Sequence, residues 1–284
     1  MGEFPSAPEE AVEVAERECG GSVQLSEVTD RRGSTVWKAT GPSGSAAIKS
    51  GTGNGVPVTA REAEALHLLD WPDHFLGGSV GKDLAWVVTR WFDAPSTWEM
   101  FRPVRETKDG RERALSAAVD LCHAITDLHG SGWVHSDLQP EHALHTDTGV
   151  RLLDVSWAWC EGFEPPDIFR GGMTHLLAPE LAASIGVGIQ PVTPSPAAEV
   201  HSLAATLWTC VTGRWPLDYP TAGIDPKALT PSQLRARVAN RSIPLDSATP
   251  WPELQEPLRE VLLAPRRQRP TAGELAETLR SVNA

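Results

Sequence analysis

Gly132-Trp133-Val134-His135-Ser136-Asp137-Leu138-Gln139-Pro140-Glu141-His142-Ala143-Leu144 is an apolar run that breaks into polar groups. Val150-Arg151-Leu152-Leu153-Asp154-Val155-Ser156 repeats the pattern a few residues later. Each reads as a short strand, so His135, Asp137, His142 and Asp154 fall at the ends of adjacent strands with a turn between them. Aspartates at strand ends often do no more than cap turns. Carboxylates and an imidazole gathered this closely are also what a site needs for a base and for metal ligands.

On the N-terminal side, residues 5–20 are rich in Ala and Glu and predict a leading helix. Three alternating runs follow, Ser22–Val28, Ser34–Thr40 and Ser45–Lys49. They are separated by Asp30-Arg31-Arg32-Gly33 and Gly41-Pro42-Ser43-Gly44. Tight turns between alternating runs predict an antiparallel meander. A helix is expected from about Thr59 to Asp70, with Pro72 beyond its end, and then a buried strand over Asp83–Phe92. On the C-terminal side the periodicity turns helical. Leu115, Ala118, Val119, Cys122, Ile125 and Leu128 recur at three- and four-residue steps up to Gly130. Residues 157–197 read as long and irregular, with an exposed loop over Pro191–Pro196. Helices are expected at Ala198–Thr212, Thr230–Asn240 and Glu253–Leu263, and a last one opens on the capping box Thr271-Ala272-Gly273-Glu274.

The net charge of −12 over 284 residues argues against nucleic acid as the main partner. No apolar run is long enough to span a bilayer, and Met1-Gly2-Glu3-Phe4-Pro5 has neither the basic segment nor the apolar core of a secretion signal. The four cysteines are scattered without a C-x-x-C pair, as in a reduced cytoplasmic protein.

The order of these parts resembles the protein kinase family over nearly the whole chain. Ala46-Ala47-Ile48-Lys49 is similar to the kinase Val-Ala-Ile-Lys, and Glu62 in Arg61-Glu62-Ala63-Glu64-Ala65-Leu66 to the acid that pairs with that lysine. His135-Ser136-Asp137-Leu138-Gln139-Pro140-Glu141-His142 resembles the catalytic loop His-Arg-Asp-Leu-Lys-Pro-Glu-Asn, and Asp154 takes the place of the Asp of Asp-Phe-Gly. Ala178-Pro179-Glu180 matches the end of an activation segment. Glu199-Val200-His201-Ser202-Leu203 resembles the opening of the central helix, and Arg269-Pro270-Thr271 the C-terminal Arg-Pro-Ser. The resemblance implies an α+β, two-lobed fold: a leader at 1–20, a small β-rich lobe with one main helix at 21–93, and a larger, mainly helical lobe at 94–284.

It also implies roles. Lys49 and Glu62 would position ATP phosphates, Asp137 would act as base, and Asp154 with His142 would hold Mg2+. Gly33, Val36 and the connector Thr89, Arg90, Trp91 and Phe92 would contact the nucleotide. Glu180 and Arg269 would form a buried structural pair. The chain also departs from the pattern. His142 replaces the metal-binding Asn, and imidazole suits softer metals than magnesium. Gln139 replaces the loop lysine, Val155-Ser156 replaces Phe-Gly, and Glu199 replaces the central-helix Asp. Gly33 is the one small turn former kept in Thr29–Val36. Ser136 replaces the arginine that receives an activation-segment phosphate, so no switching by phosphorylation there is expected.

The implied function is phosphorylation of Ser or Thr hydroxyls in a protein or peptide, with ATP and Mg2+ and without nucleic-acid or membrane partners. The His-x-Asp-Leu-Gln-Pro-Glu-His loop also resembles those of kinase-like enzymes that modify ribosomal peptides such as lanthipeptides. Those act on a precursor peptide and hand it to a lyase partner. Two rivals stand beside this reading. One is a nucleotide-binding pseudokinase or scaffold, suggested by the substitutions. The other is a small-molecule kinase of the aminoglycoside type, suggested by Ser136 and Gln139.

Overall fold

The computed structural model describes residues 5–71, 73–107, 109–166, 169, 171–188 and 191–283. Met1 to Phe4, and Pro72, which the sequence places just beyond a helix end, lie outside the described residues. The chain divides into two compact units. The first holds the described residues up to Asp93 together with Asp154–Trp157, and the second holds Ala94–Leu153 and the residues from Ala158 on.

In the first unit, α1 (Glu9–Glu18) precedes β1 (Gln24–Arg31), β2 (Ser34–Gly41) and β3 (Gly44–Thr52). Then come α2 (Val56–Leu69), β4 (Phe75–Val80) and β5 (Leu84–Arg90). The strands form one antiparallel sheet in the order β1-β2-β3-β5-β4. Arg31 pairs with Ser34 across a two-residue turn whose Arg32 and Gly33 both have positive φ, 55° and 80°. That is the primed turn that suits the strand twist. The helix expected from Thr59 begins three residues earlier, because a proline is accepted in the first turn and Pro57 sits there. Strand β4 was not expected, since Gly77-Gly78 obscures its pattern. A Cβ on Gly78 would lie 3.1 Å from the Ala63 Cβ of α2, so the strand needs glycine to approach that helix.

Directly opposed residues of an antiparallel pair share a sheet face. Trp37, Ala39, Ala46, Ile48, Trp86 and Val88 form a core with Ala11 and Ala15 of α1. The alternate register, Val36 opposite Lys49 and Ala47 opposite Thr89, therefore occupies the other face. The leading helix thus covers one face of the sheet, and Val36, Lys49 and Thr89 belong to the face it leaves.

The second unit contains α3 (Thr97–Met100), α4 (Arg102–Glu106), α5 (Arg111–Gly130), β6 (Trp133–Val134), β7 (Ala143–Thr146), β8 (Gly149–Leu152) and β9 (Trp159–Cys160). It continues with α6 (Pro179–Val187), α7 (Pro196–Thr212), α8 (Pro231–Ala239), α9 (Pro252–Leu263) and α10 (Ala272–Arg280). The two quoted stretches pair only at their facing ends: Ala143 and Leu144 open β7 and lie opposite Leu152 and Arg151 of β8, whereas β6 at the start of the first stretch pairs with β9. The two-residue turn Asp147-Thr148 closes β7 and β8 into a local hairpin, which costs less loop entropy than a distant pairing. Gly130 is still helical, and the left-handed residue that turns the chain is Gly132 at φ 83°. The region read as irregular contains α6, started by Pro179 and ended by the left-handed Gly188.

Helix α7 is buried from Ala198 to Val211 apart from Ser202, which makes its apolar run a core helix. No helix among the described residues is long and apolar enough to cross a membrane. Arg269 donates to both carboxylate oxygens of Glu180, at 2.5 and 2.9 Å, and also to the Ala197 carbonyl. The pair ties α6 to the segment before α10. Thr271 and Glu274 form the expected capping box.

Candidate active site

In the first unit, the register of β3 brings Lys49 to Glu62 of α2. The Lys49 Nζ donates to Glu62 Oε2 at 2.5 Å and to Asp154 Oδ1 at 2.9 Å. The Lys49 and Glu62 side chains are 18% and 8% exposed, and Asp154 is 38% exposed. Burial would push the lysine pKa down, but Glu62 and then Asp154 outweigh it and raise it, so the cation is secure. Asp154 stands in the left-handed region at φ 60°, a strained position for a residue with a Cβ. Its Oδ1 also accepts from Ser156 Oγ at 3.4 Å. The following turn, Val155–Trp157, packs on α2, with Val155 buried where the kinase pattern has Phe.

The other residues expected at a nucleotide fall as follows. Val36 lies across from Lys49. Gly33 accepts at its carbonyl from Thr52 N at 2.8 Å, and a Cβ there would lie 2.6 Å from the Thr52 oxygen. The turn is therefore tied back to the end of β3. Thr89 is half-buried on β5, and Arg90 Nε donates to the Asp73 carbonyl. Trp91 carries Lys38 over its ring and donates to Asp93, and Phe92 meets His74 edge-on.

In the second unit, the loop after β6 is fixed by buried groups. Glu199 on α7 accepts the backbone N–H of His135 at 3.0 Å and of Ser136 at 2.7 Å, as well as a bond to His129 Nε2 at 2.8 Å. Ser136 has φ 70°, so the carboxylate holds a strained turn. Burial alone would raise the Glu199 pKa. The His129 bond, the His129 and His135 rings and the Ser136 N–H outweigh that and hold it below the usual carboxyl range. A depressed carboxyl pKa contributes stability at neutral pH that is lost as the pH falls through the folded value. Glu199→Gln should therefore lower stability by about 2–3 kcal/mol at pH 7, since one buried N–H then faces an amide donor. The melting temperature of the variant should fall less steeply on acidification than that of the wild type.

His135 is fully buried, with Nε2 against the Leu153 carbonyl at 2.9 Å. A carbonyl only accepts, so Nε2 carries the proton and Nδ1 accepts from Asp137 N at 3.3 Å. Burial holds this ring's pKa below its ordinary value. Asp137 is buried, and Gln139 Nε2 donates to its Oδ1 at 2.6 Å. His142 Nδ1 bonds the Asp137 carbonyl at 2.7 Å.

Three features escaped the sequence reading. A Cβ on Gly172 would lie 2.1 Å from Asp137 Oδ1, so only glycine fits beside the carboxylate. The sequence signal was the Gly171-Gly172 pair before Ala178. His129, in the last turn of α5, is the partner of Glu199. A cavity of about 720 Å³ runs from Pro140 and Glu141 along Trp98, Met173, Trp215 and Tyr219. Two of its lining residues are held by His175, which stacks on Trp215 at 4.6 Å and bonds the Tyr219 hydroxyl at 2.5 Å.

The chemistry of these groups suits phosphate and a hard divalent ion. Lys49 is a fixed cation, and Asp154 offers a carboxylate oxygen of the kind magnesium prefers.

No family model matches the chain. It is similar to the proto-oncogene serine/threonine-protein kinase mos of Sus scrofa, 30% identical over 61% of this chain and 48% of that protein. It is similar to the serine/threonine-protein kinase PknK of Mycobacterium tuberculosis, 36% identical over 37% of this chain and 9% of that one. The third relative is the serine/threonine-protein kinase STY46 of Arabidopsis thaliana, at 25% over 59% of this chain and 27% of its own length. The chain thus spans about half or less of the curated relatives it matches. The chain is thus similar to serine/threonine-protein kinases, and its architecture is consistent with a protein kinase-like fold.

Proposed function

We propose that this protein transfers the γ-phosphoryl group of ATP to a Ser or Thr hydroxyl of a peptide segment. The observation that carries the reading is the Lys49 bridge, a half-buried cation aimed by Glu62 and Asp154. Phosphoryl transfer is catalysed mainly by positioning and by neutralising charge, and a fixed lysine supplies both. Asp137 accepts the hydrogen bond of the attacking hydroxyl, and Gln139 fixes its carboxylate without adding charge. Magnesium, when bound, neutralises phosphate oxygens.

The aromatic cavity beginning three residues past Asp137 supports a peptide acceptor over a small alcohol, because it offers a side-chain-sized apolar site beside the loop. A narrower form of the reading takes a precursor peptide whose phosphate a separate lyase then eliminates. It rests on the likeness of the 135–142 loop alone.

The test is thermal stabilisation by ATP with Mg2+, followed by mass spectrometry of Ser/Thr peptides, an aminoglycoside and a choline-like alcohol. Gain of one phosphoryl group on peptide supports the reading. Binding without transfer to any acceptor points to a pseudokinase, and transfer only to the small alcohols sinks the peptide assignment. Trp215→Ala should raise the KM for peptide by about tenfold, the loss of one well-packed aromatic contact. The KM for ATP should stay unchanged.

A further inference from the structure

Resting on the phosphotransfer reading above, we infer that Gly33, Gly51 and Gly55 are positioning residues. Their backbones interlock, seat α2 directly on the sheet, and so set the bridge between Lys49 and Glu62. All of these parts lie within the first unit.

Helix α2 meets the sheet through one face, on which its N-cap Gly55, Thr59, Glu62 and Ala63 recur at helical spacing. Gly55 meets the turn between β1 and β2. A Cβ on it would overlap the Gly33 carbonyl, and a Cβ on Gly33 would come within 2.9 Å of Gly55 N. Thr59 meets β3, where a Cβ on Gly51 would overlap the Gly55 carbonyl and lie 2.5 Å from Thr59 Oγ1. Glu62 meets Lys49 on the same strand, and Ala63 meets Gly78 of β4. The turn is tied in as well, since Thr52 N donates to the Gly33 carbonyl at 2.8 Å.

The contacts of Gly33 with Gly55, and of Gly51 with the Gly55 carbonyl, are backbone on backbone, so no change of rotamer can make room for a methyl group. Gly53, in the same loop, is different. Its φ is also positive, at 51°, but a Cβ on it would meet nothing within 4 Å. Gly53 serves the turn, whereas the other three serve the approach of the helix. The seating carries a cost that the fold retains. Thr59 is fully buried, and its hydroxyl has no hydrogen-bond partner among the described residues.

Close-packed interiors transmit strain rather than absorb it. A methyl group at residue 51 or 55 must lift the start of α2, and Glu62, about two turns along the same helix, moves with it. A misplacement of about 1 Å in a positioned site costs on the order of a hundredfold in rate.

The experiment uses the full chain with lysine side chains enriched in the heavy nitrogen isotope. Nuclear magnetic resonance reads an ammonium held in an ion pair as a slowly exchanging signal, and its loss in Lys49→Met assigns it. In the nucleotide-free protein the signal should be present. It should vanish in Gly51→Ala and Gly55→Ala and persist in Gly53→Ala. Single-turnover phosphoryl transfer should slow on the order of a hundredfold in the first two variants and stay within a few-fold of wild type in the third. Gly53→Ala carries the strain of a left-handed residue, so a loss that merely followed stability would appear there too. One measurement needs no variant: the Thr52 amide of the wild type should exchange as slowly as the amides that pair β3 with β5.

An ammonium signal that persists in both Gly51→Ala and Gly55→Ala, or fast exchange at Thr52 in the wild type, would overturn the inference. The expected signals without any transfer by the wild type would leave the interlock standing and overturn the phosphotransfer reading instead.

Discussion

Asp137→Asn should leave the protein folded and able to bind ATP while lowering kcat by about a hundred- to ten-thousandfold, the range of a positioned general base. The substitution keeps the volume of a buried side chain and an oxygen that can accept from Gln139, whose bond to Oδ1 is 2.6 Å long. The backbone of residue 137 is held independently, by His135 Nδ1 at its N–H and by His142 at its carbonyl. What is lost is the negative charge proposed to accept the hydroxyl proton. Single-turnover phosphoryl transfer separates the two effects, with the KM for ATP near the wild-type value and the chemical step slow. Gly172→Ala makes the same point without touching the carboxylate. The new methyl would sit 2.1 Å from Oδ1, so the side chain must leave its position. A kcat within a few-fold of wild type for Asp137→Asn would remove Asp137 from the chemistry.

That pair also shows what the sequence could tell. Asp137 was legible because it sits in a local run whose order, His-x-Asp-Leu-x-Pro-Glu, is contiguous. Gly172 was not, because its constraint is a contact with a residue 35 positions earlier (172 − 137), which no local pattern carries. The same division holds for the fold. Alternating runs with two-residue turns made β1 to β3 readable. Strand β4 was hidden, since its Gly77 and Gly78 serve packing against α1 and α2 rather than strand propensity.

Helix α7 was plain from its apolar length, but His129 could not be assigned to Glu199 across 70 residues. Pairing was legible only in part. The 132–144 and 150–156 stretches do meet, at Ala143-Leu144 and Arg151-Leu152 across the Asp147-Thr148 hairpin, but Trp133-Val134 pairs instead with Trp159-Cys160.

Lys49→Met should both slow turnover and destabilise the protein, and the two losses can be pulled apart. Losing the phosphate-binding cation should lower kcat by about a hundred- to a thousandfold, the cost of removing one preorganised electrostatic donor. The stability loss has a different origin. Glu62 is nearly buried and loses its lysine partner, and removing one member of a buried pair costs about 3–5 kcal/mol. The low end, about 3 kcal/mol, is expected here because Asp154 is 38% exposed and solvent screens it.

The sign with pH then follows. In the wild type the raised lysine pKa makes the bridge fully stabilising below the ordinary lysine value, and it is lost only as the pH rises through the folded one. In Lys49→Met a buried carboxyl without its cation prefers to be neutral. Stability should therefore recover on acidification into the carboxyl range, where the wild type gains nothing from this site. Lys49→Met combined with Glu62→Leu replaces both partners by apolar groups, which should restore most of the melting temperature. It should restore none of the turnover. Recovery of activity in that double variant would mean that the lysine held the fold and not the phosphates.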